Sequence, residues 1–183
     1  METEHIGHSI DGAEPITDPT TYRDHSGVES RDERNEHDGT DHCGVGTEGR
    51  AIVDIRNEDG EHLLLIHDGA GVAIMPNETV DPGEDWAAVA REAAAGYTGI
   101  EIEIDAILSV GTVEHIVPGQ DDPQMTTTRA VFRGSPVGGG IDECKRTAAN
   151  GSDEWRVEWC SQLSDGVSAP EGGPERDLAL VLG

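Results

Sequence analysis

The stretch whose reading decides the fold is Thr79–Ile100, TVDPGEDWAAVAREAAAGYTGI. It opens with a turn that ends in Gly83-Glu84. From Asp85 to about Tyr97 the chain is alanine-rich, and Trp86, Val89 and Ala90 recur one helical turn apart. That spacing and composition predict a helix, closed by Thr98-Gly99.

Strand patterns flank this helix on both sides. Before it, RAIVDIR from Arg50 alternates, NEDG supplies turn chemistry, and EHLLLIH returns, which predicts a β-hairpin. GVAIMP (Gly71 to Pro76) reads as a short third strand. After the helix, IEIEIDAILSVGTVEHIV is a long alternating strand, expected to bend near Gly111. TTTRAVFRG and DEWRVEWC read as further strands, separated by a glycine-rich loop. PERDLALVLG predicts a short C-terminal helix. Neighbouring strands without regular βαβ alternation point to a mixed α+β sandwich.

The composition constrains the surroundings. Thirty-eight acidic residues face twelve basic ones, for a formal charge of −26, and Lys145 is the one lysine. The acids are spread along the whole chain, so the charge belongs to the entire surface. Self-repulsion at this charge destabilises a compact state in dilute buffer, and at molar salt the Debye length falls to ~3 Å and the cost largely disappears. The expectation is a cytoplasmic protein of a salt-accumulating cell. Such a surface disfavours nucleic acid and anionic membranes as partners, and a phosphate ligand would need a local cation or a metal. No apolar run approaches the ~20 residues of a membrane span, and METEHIGHSIDG has no signal-peptide pattern. Cys43, Cys144 and Cys160 form no C-x-x-C pair, so reduced thiols are expected.

Residues 1–48 are polar and acidic, and read as a flexible arm. Within it His37, Asp41, His42 and Cys43 are zinc-ligand types, at a spacing that fits no standard site. Neither GVGTEGR nor Gly138-Gly139-Gly140 is followed by the Lys-Ser or Lys-Thr of a P-loop, and no G-x-S-x-G elbow is present.

The order strand, Pro76, turn, Gly83-Glu84, helix, Thr98-Gly99-Ile100, long strand resembles the Nudix hydrolases. Their signature is G-x5-E-x7-R-E-U-x-E-E-x-G-U, with U aliphatic. SDEWRVEWCSQLSDGV is similar to a late strand of that family, with Trp159, Ser161 and Leu163 at its end. The resemblance covers about residues 50 to 165. It implies an α+β fold, a Nudix-like mixed β-sheet sandwich packed with a central helix and a short C-terminal helix. The arm (1–48), the Nudix-like domain (49–168) and a tail or short helix (169–183) would follow one another.

The resemblance also implies an activity: metal-dependent hydrolysis of nucleoside diphosphate-linked compounds, with Mg²⁺ or Mn²⁺ held by glutamates at i, i+3 and i+4 on one helix face. This chain departs from the signature at those positions. Aligned without gaps to Gly99-Ile100, the arginine position holds Glu92 and the carboxylate positions hold Ala93, Gly96 and Tyr97. Matching Arg91-Glu92 to the Arg-Glu pair instead puts Ala95 and Gly96 at the paired carboxylates. In either register Asn77-Glu78 replaces the Gly-Gly of the turn. The candidate catalytic residues are therefore Glu84, Arg91 and Glu92. Glu84 and Glu92 are the candidate metal ligands, eight residues apart and so roughly on one face. Trp86 and Phe132 are the candidate substrate-stacking residues, with Tyr97 and Trp155 the other aromatics, and Glu114 or Asp121-Asp122 could supply a loop acid. Two readings result: a hydrolase using Mg²⁺ or Mn²⁺ on a nucleotide derivative, or an inactive nucleotide-binding or protein-interaction module that needs no metal. An unrelated small α+β protein is the third.

Overall fold

The computed structural model describes residues 7–11, 14–36, 46–139 and 155–182. His37, Asp41, His42, Cys43 and Cys144 lie outside them, as does most of the glycine-rich loop.

The elements run in the order β1 (His8–Ser9), β2 (Glu29–Ser30), β3 (Glu33–Glu36), β4 (Gly49–Ile55), β5 (His62–His67), β6 (Val72–Ile74), β7 (Asn77–Val80), α1 (Trp86–Thr98), β8 (Ile100–Ile116), β9 (Met125–Gly139), β10 (Trp155–Cys160) and α2 (Gly173–Leu182). A seven-stranded sheet has the path β1-β8-β9-β4-β7, with β2 and β3 also on β8, and a three-stranded sheet has the order β10-β5-β6. β4 runs parallel to β9 and antiparallel to β7, so the larger sheet is mixed. This is the α+β sandwich with a central and a C-terminal helix that the sequence predicts.

Helix α1 forms where its apolar spacing places it. The Asp85 carboxylate accepts from Ala87 N (3.1 Å), satisfying one of the amides a helix start leaves unpaired. Gly99 ends the helix in the left-handed conformation (φ 81°), and its N–H bonds Ala95 O. The face carrying Trp86, Val89, Ala90 and Ala94 packs with Ala51, Val53, Val80 and Phe132 in one core cluster. A second cluster gathers Ile52, Leu64, Ile66, Val131 and Leu178, which brings α2 onto the other face of the large sheet.

Four expectations are revised. The hairpin is a turn without a ladder. Asn57 N donates to Glu61 O (3.0 Å), but β4 stays in the large sheet and β5 enters the small one, joined by the single bridge Arg56↔His62. Leu63, Leu64, Leu65 and Ile66 are all buried, so β5 needs cover on both faces, which a two-stranded hairpin cannot supply. β8 shifts register at Glu101/Ile102, Ile104/Ala106 and Ile107/Ser109 rather than at Gly111. Gly111 instead admits a neighbour: a Cβ there would lie 1.5 Å from the Arg31 carbonyl oxygen. β9 continues through Ser135–Gly139, which the sequence reads as loop.

The fourth revision concerns the polar N-terminal stretch, read as loose. Its described residues are bonded along the outer edge of β8, as β1 antiparallel and β2 and β3 parallel to it. Ile16 is 4% exposed and belongs to the core around α1. Pairing satisfies the backbone groups of an edge strand that would otherwise stand open, and this outweighs the low apolar content of the segment.

Candidate functional site

β7, the turn after it and α1 carry the positions that the signature assigns to metal chemistry. Glu84 is exposed, and its Oε2 accepts from Asp81 N (3.1 Å), so its carboxylate closes its own turn. Glu92 is exposed midway along the helix. Arg91 lies 3.9 Å from Asp85 and so pairs near the helix start. Trp86 and Phe132 have no exposed surface. Both are the large apolar filling between α1 and the sheet, so neither offers a ring face to a ligand. Glu114 on β8 accepts from Arg34 Nε (3.2 Å), while Asp121 and Asp122 are exposed in the turn region beyond it.

The structure brings together a different pair. Tyr97 donates its hydroxyl to Glu78 Oε2 (3.1 Å), and Glu78 Oε1 accepts from Thr79 N (3.0 Å) and Thr79 Oγ1 (3.3 Å). Both oxygens of Glu78 are thus engaged. Burial is the main cause that raises the Tyr97 pKa above the ordinary tyrosine value. The Glu78 charge and its hydrogen bond add to the shift, and the nearby Arg50 guanidinium opposes it. Around this pair the helix presents Ala93, buried, and Gly96, exposed. Among the described residues no three His, Cys, Asp or Glu side chains converge as a metal site needs. The residues at this place do not fit a divalent cation.

On the opposite face of the large sheet lies a cavity of about 230 Å³. Adjacent strands supply its floor: Asn35, His115, Thr127, Arg129, Arg50 and Thr79. The start of α2 forms a wall. Arg50 pairs in register with Arg129 on one side and Thr79 on the other, which puts their side chains on one face. His115 and Thr127 are buried and bonded to each other (2.8 Å). Arg129 is tied to Asp177 of α2, and burial holds the Asp177 pKa above the usual carboxylate value against the pull of Arg129. Sequence reading missed this cavity. The signal it offered was the scarcity of basic residues, which makes each arginine conspicuous.

No protein-family model matches the chain, and no curated protein matches it. Solved structures do. A UDP-X diphosphatase superposes with a TM-score of 0.51 at 14% identity, covering 78% of this chain and 64% of its own. The fold is that of the Nudix hydrolases. A mutator MutT protein from Bacillus halodurans matches with a TM-score of 0.47 at 16% identity, over 60% of this chain and 65% of that one. A Nudix-family hydrolase from Clostridium perfringens matches at 0.47 and 11%, over 75% and 95%. The chain therefore spans slightly less than two thirds of the length of the diphosphatase and of the mutator protein. In this Nudix fold α1 is the helix that follows the signature turn, and Tyr97 with Glu78 occupies the ground between that helix and the strand before it. No helix among the described residues is long and apolar enough to cross a membrane.

Proposed function

We propose that this chain is a Nudix-fold binding protein that no longer carries out metal-dependent pyrophosphate hydrolysis. The observation that supports it is the Tyr97–Glu78 pair. A phenol stands at one signature carboxylate position, and it donates to a carboxylate at one of the turn's glycine positions. A Mg²⁺ or Mn²⁺ site needs several converging oxygens. Here Glu78 spends both of its oxygens on protein donors, Glu84 caps its own turn, and Ala93 and Gly96 have no ligand atoms. The scaffold persists and the ligand set does not. The ligand this reading favours is a nucleotide derivative or another phosphate-bearing small molecule. The formal charge of −26 with a single lysine favours a cytoplasm of high salt as the working medium.

The test is calorimetric titration of Mn²⁺ and Mg²⁺ in molar KCl, on the wild type and on the Glu84→Gln/Glu92→Gln double variant, beside a hydrolysis assay on a panel of nucleoside diphosphate-linked compounds. The expected result is no saturable metal binding in either protein and no metal-dependent turnover. Saturable binding that the double variant abolishes, with turnover, would restore the hydrolase reading.

A further inference from the structure

The cavity on the α2 face gathers charge that the rest of the surface lacks. The chain has eleven arginines against thirty-eight acids. Two of the eleven, Arg50 and Arg129, line the cavity of about 230 Å³, and Arg31 and Arg176 line a hollow of about 10 Å³ that shares Glu33, Val113 and Arg129 with it. Four of eleven arginines thus ring one place on a protein that is otherwise strongly anionic.

Three of them are matched by acids. Arg31 bonds Glu29 (2.8 Å), Arg176 bonds Glu33 (2.8 Å), and Arg129 bonds Asp177. Arg50 is the exception. Its Nη1 donates to the neutral side-chain oxygen of Asn77 (2.5 Å), and among the described residues no carboxylate lies within ion-pair distance of it. An uncompensated guanidinium that lines a cavity is a recognition element for an anion, because its planar fork matches two oxygens of a phosphate at once. The surroundings supply further donors. Thr79 and Thr127 line the same cavity, and α2 begins there at Gly172-Gly173-Pro174. Arg129 packs against this helix start, where a Cβ on Gly173 would lie 2.7 Å from its guanidinium carbon. Two acids line the cavity: Glu33, bonded to Arg176, and Glu171, exposed at the same wall, which counts against the site. The lining contains no Phe, Trp or Tyr, and its one aromatic ring, His115, is buried against Thr127, so a nucleobase would find no large aromatic face.

We propose that this cavity binds a small phosphate-bearing ligand by its phosphate, through Arg50 and without a metal. The proposal rests on the reading of the chain as a binding protein and names the site and ligand class for it. It places recognition on the α2 side of the large sheet, with Arg50 at the border nearest Tyr97.

The experiment is titration of inorganic pyrophosphate into the full chain in molar KCl with EDTA present. Saturable binding is expected, at least tenfold weaker in Arg50→Gln and unchanged in Glu84→Gln/Glu92→Gln. ADP should bind no more than about threefold tighter than pyrophosphate, since the lining offers the base no Phe, Trp or Tyr face. Melting curves check that Arg50→Gln is folded. Independently of any variant, the Arg50 Nε–H resonance should shift as pyrophosphate is added. No binding by the wild type, equal binding by Arg50→Gln, or an Arg50 resonance that stays still overturns the proposal. ADP binding far tighter than pyrophosphate also overturns it. Binding that requires Mg²⁺ and is lost in the Glu84→Gln/Glu92→Gln protein overturns the site and the non-hydrolytic reading together, whereas absence of both metal and pyrophosphate binding overturns the site alone.

Discussion

Tyr97 on the last turn of α1 and Glu78 on β7 are joined by a hydrogen bond of 3.1 Å, so the signature helix is fastened to the strand before it through these two side chains. The Tyr97 pKa is raised first by burial and then by Glu78. A group whose folded pKa lies above its unfolded value contributes stability that is full below the unfolded value and is lost as pH rises through the folded one. Stability is therefore expected to fall on the alkaline side, above the ordinary tyrosine range, and Tyr97→Phe should abolish that fall. With Tyr22 the one other tyrosine, phenolate absorbance can follow both. In Glu78→Gln the Tyr97 titration should move down but stay above the ordinary value, because burial remains. An unchanged titration in Glu78→Gln would refute the pairing.

Gly96 and Gly99 sit three residues apart at the end of α1 and should respond in opposite directions to alanine. Gly96 is helical and exposed, and a Cβ there would meet nothing within 4 Å. Gly96→Ala should stabilise the fold by up to about 1 kcal/mol, a rise of ~2–4 °C in Tm, by reducing the freedom of the unfolded chain. Gly99 has φ 81°, where an L side chain crowds the following carbonyl. Gly99→Ala should cost about 1–2 kcal/mol. Paired melting curves decide it, and a loss at Gly96 would mean that the helix face there is occupied.

The contrast between these glycines and the rest of the chain marks what could be read in advance. Trp86, Val89 and Ala90 announced α1 because a helix is specified by local spacing, and Gly99 announced its end. The box was legible as altered because Ala93, Gly96 and Tyr97 stand at counted positions. β7 was not legible. Asn77–Val80 is four residues long and mostly polar, and only its pairing with β4 makes it a strand. Ile16 was equally silent, since a lone isoleucine in a polar stretch has no period. The cavity was hidden for a topological reason. Arg50 and Arg129 meet because β4 lies parallel to β9, and no local pattern reports a parallel neighbour so far along the chain.

Ile16 ties the N-terminal stretch to the start of α1. Its carbonyl accepts from Trp86 N (2.8 Å), and its own N–H donates to Asp85 Oδ1 (2.9 Å), the same oxygen that caps the helix. Removing the buried side chain leaves a hole against Trp86 and its neighbours. Ile16→Ala should cost about 2–5 kcal/mol. A substitution at exposed Glu36 on β3 should stay within ±0.5 kcal/mol. Unfolding in denaturant at molar KCl measures both, and a small effect at Ile16 would show that the stretch only rests on the core.

The largest single loss is expected at Asp54, which is fully buried on β4. Its Oδ1 lies 2.5 Å from His62 Nδ1, and its Oδ2 accepts from Arg133 Nε (3.1 Å) and Nη2 (3.0 Å). These bonds link the first strand of the small sheet to two neighbours of the large one. They do so with charge rather than apolar packing. A buried pair contributes little net stability when intact, because desolvating both charges offsets their attraction, but removing one partner strands the other. Asp54→Ala should therefore cost about 3–5 kcal/mol. Exposed pairs such as Arg156 with Asp68 keep water as an alternative partner, and Asp68→Ala should cost no more than about 1 kcal/mol. If the two variants unfold at the same denaturant concentration, the Asp54 network carries no more than a surface pair, and the coupling between the two sheets must come from Leu64, Ile66 and their apolar neighbours instead.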